Sequence, residues 1–349
     1  MEALYGKNII YNNLMFHNVA ALEQWKDRDG LVMARYPENV RNHLEKGNIR
    51  AVKMTASEIR FVTNAREYFV MLEAMDKDCK VFVFCGDFLH SVHELKAGIK
   101  TTLSIQGRER LDKVRQDMLA QGNFHFSVWR IVMDGAIVIF HGVNTFGAAV
   151  EAPDQELLPK KRWLAYGSSI TMGANATDVT SSYVFRTAQM TGLDVCNLGL
   201  AGSCLCEKEV ADYLASRRDW DIMTLELGIN MLGIFTGREF TARAEYLLQK
   251  VLDASNGRPV VLISPFDNGY RGLPENDLAN IRTKEYDKSF LRLTEKFTDK
   301  NFFFIDGRTL SGGVYGLTCD LLHPSNAGHA VIALSLTEKL KEILGKIGE

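Results

Sequence analysis

Residues 162–173 read RWLAYGSSITMG: an apolar run, a glycine, two serines, and a short apolar turn closed by a second glycine. A hydrophobic strand that ends in Gly-Ser-Ser places hydroxyls at a strand's carboxyl end, where open parallel α/β sheets bind their ligands. The same grammar recurs downstream. DVCNLG (194–199), DIMTLELG (221–228), PVVLIS (259–264) and NFFFID (301–306) are further apolar strand candidates. Helical patterns separate them, among them KEVADYLASRR (208–218) and the stretch from Phe240 to Ala254. Alternation of strand and helix predicts a parallel sheet covered by helices.

Upstream the pattern changes. From about residue 31 to 148 the chain favours short strands: EIRFVT (58–63), EYFVMLEA (67–74), KVFVFC (80–85), GIKTTLSI (98–105), FHFSVWRIVM (124–133) and AIVIFHGV (136–143). Rich in Val, Ile, Phe and Thr and separated by turn residues, they read as an antiparallel sandwich. GRERLDKVRQDMLAQG (107–122) interrupts them, and Leu111, Val114, Met118 and Leu119 fall at helical spacing. That spacing predicts one amphipathic helix inserted between strands. EAPDQELLPKK (151–161), with two prolines and five charges of mixed sign, reads as a linker. The expected organisation is a β-sandwich over 1–150, a linker over 151–161 and an α/β domain over 162–349.

At 349 residues the chain has room for two domains and for a core that needs no disulfide or metal staple. Its formal net charge is -2 and it holds no long run of Lys and Arg, which argues against nucleic acid or an acidic membrane surface as a partner. No window approaches the ~18 uncharged apolar residues of a membrane span. The opening stretch, MEALYGKNIIYNNLMFHNVAALEQW, has no basic region followed by an unbroken apolar core, so it does not read as a signal peptide. Cys79, Cys85, Cys196, Cys204, Cys206 and Cys319 show no framework spacing. They read as free thiols in a reducing cytoplasm, which is the expected location.

The strand ends carry the chemistry. After the first come Gly167, Ser168 and Ser169; after the second, Asn197, Gly199 and Gly202 in NLGLAG; after the third, Gly228 and Asn230 in LGIN. Just before the last helical pattern lies DLLHP, with Asp320, His323 and Pro324. A serine hydrolase needs a nucleophile, a base, a group to orient that base, and donors for the oxyanion. These four places offer one candidate for each role.

In these blocks the sequence resembles the SGNH hydrolases, the GDSL-type esterases and lipases, over roughly residues 160–345. YGSSITMG matches the family's first block and puts Ser169 at the nucleophile. NLGLAG matches the second, with the Gly202 N–H in the oxyanion hole. LGIN matches the third, with the Asn230 amide as a further donor, and DLLHP the last, with Asp320 and His323 completing the triad. The resemblance implies an α/β, flavodoxin-like sandwich of parallel sheet and helices, here preceded by an all-β, jelly-roll-like sandwich. Two positions depart from the family pattern. Ser168 stands where an Asp is usual, and Met231 where an Asp often follows the Asn. Chemically, Ser169 would attack an ester carbonyl, His323 would take its proton, and Asp320 would fix the imidazole tautomer. Gly202 would let substrate approach the backbone closely.

Other features have simpler readings. His329, inside the last helical pattern, reads as a packing residue. CGDFLHSVHE (85–94) groups Cys, Asp, His and Glu but lacks metal-ligand spacing, and the C-x-C of Cys204 and Cys206 has no second pair. Glu226, a lone acid in an apolar strand, receives no role. G-x-S-x-G, P-loop and G-x-G-x-x-G motifs are absent from the sequence.

The expectation is a serine esterase working without cofactor or metal on a small-molecule or carbohydrate ester. A β-sandwich ahead of such a domain resembles family-two carbohydrate esterases, which favours acetyl as the acyl group. FDNGYRGLPENDLAN (266–280) would shape the substrate cleft through Tyr270 and Arg271. A lipase or thioesterase for longer chains, and a sugar-binding protein on a disabled hydrolase scaffold, are the rival readings; homo-oligomer formation stays open.

Overall fold

The computed structural model describes residues 8–119 and 121–347. The start of the stretch read against a signal peptide, Ala120 within the predicted helix, and the last two residues of the α/β span lie outside them.

Strands Lys161–Tyr166, Leu193–Asn197, Ile222–Glu226, Val260–Ile263 and Phe302–Ile305 form one sheet, in spatial order 2-1-3-4-5 when counted along the chain. Every pairing is parallel. Successive residues of a strand point to opposite faces, so a strand covered on both sides must be apolar throughout. Leu164, Tyr166, Met223, Leu225 and Leu262 accordingly join one core with helices Lys208–Ser216, Gly237–Ala254 and Leu278–Lys296. Trp163, Ala165, Ile222, Val261 and Ile263 join the other, against helices Tyr183–Thr191 and Asn326–Ile347. The order is that of flavodoxin-like folds, whose switch point lies between the first and third strands. The Gly237–Ala254 helix begins three residues before Phe240 because Thr236 and Glu239 form a reciprocal capping box.

The strand-rich half is two antiparallel sheets packed face to face. The larger runs Ile9–Tyr11, Leu14–His17, Thr55–Thr63, Val128–Asp134, Cys79–Cys85, Phe88–Leu95, with Val150–Glu151 added beside Thr55–Thr63. The smaller runs Ala21–Glu23, Leu31–Ala34, Val138–Asn144, Glu67–Ala74, Lys100–Gln106. Phe16, Ile59, Phe61, Val83 and Ile131 of the first meet Tyr68, Val70, Leu103 and Phe140 of the second. The strands before residue 31, and the exposed edge strand Phe88–Leu95, had no counterpart in the sequence reading. The first three are only three or four residues long and the edge strand is largely exposed, so they carry little periodic signal.

The expected single helix over 107–122 is instead two short ones, Glu109–Lys113 and Gln116–Leu119, separated at Val114, which is extended. Its apolar stripe is only partly covered: Leu119 is buried and Leu111 packs on the sandwich core, but Met118 is 61% exposed. With packing at only some of its turns, a segment this short does not hold an uninterrupted helix.

The outer face of the larger sheet is buried too, against the α/β half. Ala56, Phe82, Phe84 and Val132 pack on Val179 and Phe185. Beside them runs a buried polar seam. Arg60 forms a two-pronged pair with Asp194 at 3.0 and 2.7 Å, Arg130 donates to Glu58 at 2.8 and 2.5 Å, and His17 Nε2 donates to the Val195 carbonyl at 2.7 Å. Burial, followed by the Arg60 charge, lowers the His17 pKa to about 4, so the ring is neutral in that contact. The segment after Ala34 crosses over entirely: Tyr36, Val40, Leu44 and Ala51 belong to the core of the α/β half.

Candidate active site

Gly167 follows the first parallel strand, and Ser168 caps the one-turn helix Ser169–Met172 by accepting the Ile170 N–H at 3.1 Å. Ser168 is therefore a buried N-cap. Ser169 is the first helical residue, and its Oγ lies 2.7 Å from His323 Nε2. The turn is tight enough to dictate its glycine. A Cβ on Gly167 would stand 2.2 Å from Thr171 Oγ1 and 2.7 Å from Glu226 Oε2.

His323 and Asp320 sit on the loop before the Asn326–Ile347 helix. His323 Nδ1 meets Asp320 Oδ2 at 2.7 Å, which puts the ring proton on Nδ1 and leaves Nε2 to accept from the Ser169 hydroxyl. Asp320 Oδ1 accepts from the Leu322 and His323 N–H groups at 2.9 and 3.0 Å and from the Thr318 hydroxyl at 2.8 Å. Desolvation pushes the Asp320 carboxyl up, but the His323 and Leu322 amides, the His323 ring and Thr318 together hold it well below the usual carboxylate range. Asn175 donates to Asp320 Oδ2 at 3.3 Å and to Thr318 Oγ1 at 3.1 Å, ties that sequence reasoning missed. Its one local peculiarity is a left-handed φ of 65°, which a sequence does not display.

Gly202 and Asn230 lie on the loops after the second and third strands. Gly202 has φ +66° and open space where a Cβ would be. Backbone conformation, rather than crowding, is what calls for glycine there. Asn230 Oδ1 accepts the Cys204 N–H at 3.2 Å, leaving its Nδ2 as a donor. Among the described residues, the Ser169 and Gly202 N–H groups have no acceptor.

Tyr270 and Arg271 occupy a short 3-10 turn, Gly269–Gly272. Arg271 pairs with Asp287 at 2.8 and 2.6 Å, and Tyr270 packs against the core beneath it. The turn's firmest link to the site is through the backbone, from Gly269 N–H to the Leu321 carbonyl at 2.7 Å.

His329 is buried, accepts the Tyr183 N–H at 3.2 Å and donates to the Ala174 carbonyl at 3.0 Å, just past the Ser169 helix. CGDFLHSVHE scatters: Cys85 is in the sandwich core, Asp87 accepts from the Asn123 and Phe124 amides, and His90 and His93 share Ser91 on the edge strand. Cys204 and Cys206 are buried free thiols, and Cys204 Sγ is 3.7 Å from the Glu226 carbonyl. Glu226 is the surprise. It is 1% exposed beneath the Gly167 turn, where Oε2 accepts the Ser168 N–H at 2.7 Å and the Thr171 hydroxyl at 3.1 Å.

The sandwich half reaches into this site. Arg35 donates to the carbonyls of Asn197 and Gly199 at 3.0 Å each, and Tyr36 to that of Leu198 at 2.5 Å. Asn18 adds a second donor to Asn197 O at 3.0 Å, and Thr55 donates to Met172 O at 2.8 Å. Four side chains from upstream thus hold the loop that precedes Gly202 and the end of the Ser169 helix.

Comparison with solved structures supports this architecture across nearly the whole chain. A salicylyl-acyltransferase from a tetracycline biosynthetic pathway is 20% identical, with a TM-score of 0.77 and 96% of each chain covered. A family two carbohydrate esterase from Clostridium thermocellum, in complex with cellohexaose, is 14% identical, with a TM-score of 0.61 over 95% of this chain and 99% of that one. Its counterpart from Cellvibrio japonicus is 13% identical, with a TM-score of 0.62 over 99% and 96%. At these identities the likeness establishes the fold. No curated protein matches the chain. Residues 165–331, from the end of the first parallel strand into the last helix, match the model of the GDSL-like lipase/acylhydrolase family. With that match laid over the parallel sheet and the loops at its carboxyl edge, residues 165–331 form a GDSL-like lipase/acylhydrolase domain, and the protein is a carboxylic ester hydrolase.

Proposed function

We propose that the protein is a serine esterase that removes small acyl groups, acetyl foremost, from carbohydrate through an acyl-enzyme on Ser169. The observation that carries this reading is the unbroken hydrogen-bond chain Ser169 Oγ–His323 Nε2 and His323 Nδ1–Asp320 Oδ2, 2.7 Å at each link. As Ser169 Oγ bonds to the ester carbonyl carbon, its proton passes to His323 Nε2. The carbonyl oxygen becomes an oxyanion met by the N–H groups of Ser169 and Gly202 and by Asn230 Nδ2. Collapse of this intermediate breaks the C–O bond to the alcohol, which leaves with the proton from His323. Water then repeats the sequence on the acyl-enzyme and frees the acid. Asp320, ionised throughout, steadies the imidazolium formed in each half. The carbohydrate part of the proposal draws its support from the likeness to family two carbohydrate esterases.

A second reading passes the acyl group to an alcohol acceptor instead of water, and the acyltransferase aligned over 96% of both chains favours it. Fluorophosphonate labelling is the decisive test of the nucleophile: Ser169→Ala abolishes it, whereas Ser168→Ala keeps it and costs about 1 kcal/mol of stability through the lost cap. Labelling that survives Ser169→Ala sinks the mechanism. A panel of 4-nitrophenyl esters and acetylated sugars then sets the acyl group, with activity that rises with chain length overturning the acetyl assignment. Product analysis with added alcohols separates transfer from hydrolysis.

A further inference from the structure

We propose that Glu226 is a positioning residue for Ser169: from beneath the turn it accepts from the Ser168 N–H and the Thr171 hydroxyl and so keeps Ser169 in line with His323. The inference rests on the assignment of Ser169 as nucleophile.

The argument begins with what a four-residue helix cannot do for itself. Ser169–Met172 makes a single turn, far below the length at which a helix is stable alone, so its orientation has to be imposed by neighbours. Its later carbonyls are held by Asn197 Nδ2 on Thr171 O at 2.8 Å and by Thr55 on Met172 O at 2.8 Å. Its beginning has the Ser168 cap and Glu226. Among the described residues Glu226 alone ties both ends of the turn, since its Oε2 accepts from Ser168 N ahead of Ser169 and from the Thr171 hydroxyl two residues beyond it. Gly167 is part of the same device: a side chain there would strike Glu226 Oε2 and Thr171 Oγ1.

The environment also sets the form in which Glu226 works. Oε1 has no hydrogen-bond partner among the described residues, and burial is the largest influence on the group. Tyr183 from the Tyr183–Thr191 helix and Cys204 from the loop after the second strand are the titratable groups that feel its charge, and neither supplies a positive one. Ser168 and Thr171 face it from the turn and are uncharged. Desolvation, only partly offset by hydrogen bonds from Ser168 and Thr171, raises its pKa to about 7. A buried polar group in a strand otherwise made of apolar residues is costly. Leu or Met would fill the space but could not accept either hydrogen bond.

Three variants test the proposal. Glu226→Gln keeps the acceptor oxygen and the shape, so its kcat at pH 6 stays within about threefold of the parent. Glu226→Met keeps the bulk but loses the acceptor, so its kcat falls roughly 10- to 100-fold at nearly constant KM, and fluorophosphonate labelling of Ser169 slows in parallel. Should Glu226→Met not fold, Thr171→Val removes one of the two bonds, and its kcat falls by about threefold or more. As pH rises through 7, the parent acquires a negative charge beneath the Ser169 turn while the Gln variant does not. The Gln-to-parent ratio of kcat therefore climbs. A merely structural role would lower the melting temperature without moving that ratio. A flat ratio, or parental kcat in both Glu226→Met and Thr171→Val, overturns the proposal. If Ser169→Ala still labels, the failure belongs to the nucleophile assignment instead.

Discussion

Asn230 joins two loops of the site, because Oδ1 accepts the Cys204 N–H on the chain that carries Gly202 while Nδ2 remains to donate. In the proposed mechanism that second group meets charge only as the tetrahedral intermediate forms. Asn230→Ala is therefore expected to lower kcat roughly 10²- to 10³-fold with little change in KM, measured by steady-state hydrolysis of an acetyl ester. A rise in KM at constant kcat would place Asn230 in ground-state binding. At this scale the sequence was most informative about residues whose chemistry is rare and local. Asp320 and His323 are three positions apart, and one short loop delivers both. Ser168, by contrast, could be separated from Ser169 only by the family resemblance until the cap geometry gave its hydroxyl a partner in Ile170 N–H. Glu226 was legible as an oddity but not as a neighbour of Ser168. Its contact spans 58 positions and depends on the pairing of two strands.

The loop after Leu193–Asn197 illustrates the scale of the element. NLGLAG specifies only part of its shape, through Asn197 Oδ1 accepting the Gly199 N–H at 2.9 Å and the left-handed Gly202, and much of its restraint comes from Arg35 and Tyr36, more than 160 residues upstream. Arg35 also donates to the Arg50 carbonyl at 2.7 Å and to that of Lys53, so among the described residues all the hydrogen bonds of this buried guanidinium go to carbonyl oxygens. Desolvation lowers its pKa to about 10, which leaves it charged at neutral pH. Arg35→Met removes these bonds and leaves the carbonyls unpaired. The expected result is a kcat at least about tenfold lower, together with a loss of ~2 kcal/mol or more in stability. Kinetics and urea unfolding of the same preparation check both, and unchanged kcat would show that the loop holds its form unaided. The elements best read from sequence were the buried parallel strands, whose continuous apolar runs match their bounds within a residue or two. The 107–122 stretch had the right periodicity but only partial cover for its stripe, and it broke into two short helices.

At the scale of the whole molecule, the two halves are joined through apolar packing and a buried charge seam. Asp194→Asn would take away one of the two carboxylates paired with Arg60, leaving Glu58 at 2.7 Å, and is expected to cost about 3 kcal/mol, read by thermal or urea unfolding at neutral pH. The seam also predicts an acid response. Burial pushes Glu58 up, but the charges of Arg130 and Arg60 outweigh it and bring its pKa down to about 2, and Asp194 is likewise depressed. The folded protein then binds these protons less readily than the unfolded chain. Stability is fully present above the ordinary carboxylate range near 4.5 and declines as pH falls toward 2. Asp194→Asn should show a shallower decline across that window, and an identical slope would remove Asp194 from the acid response. What the sequence determined by itself was the class of each half and the inventory of the site, because apolar periodicity and a Ser, His, Asp and Asn at strand ends are local properties. Tertiary structure alone decided which serine caps, what lies beneath it, and that the upstream half grips the loop before Gly202. Those outcomes depend on side chains brought together from distant positions by strand pairing and burial, where each polar group has to find a partner away from water.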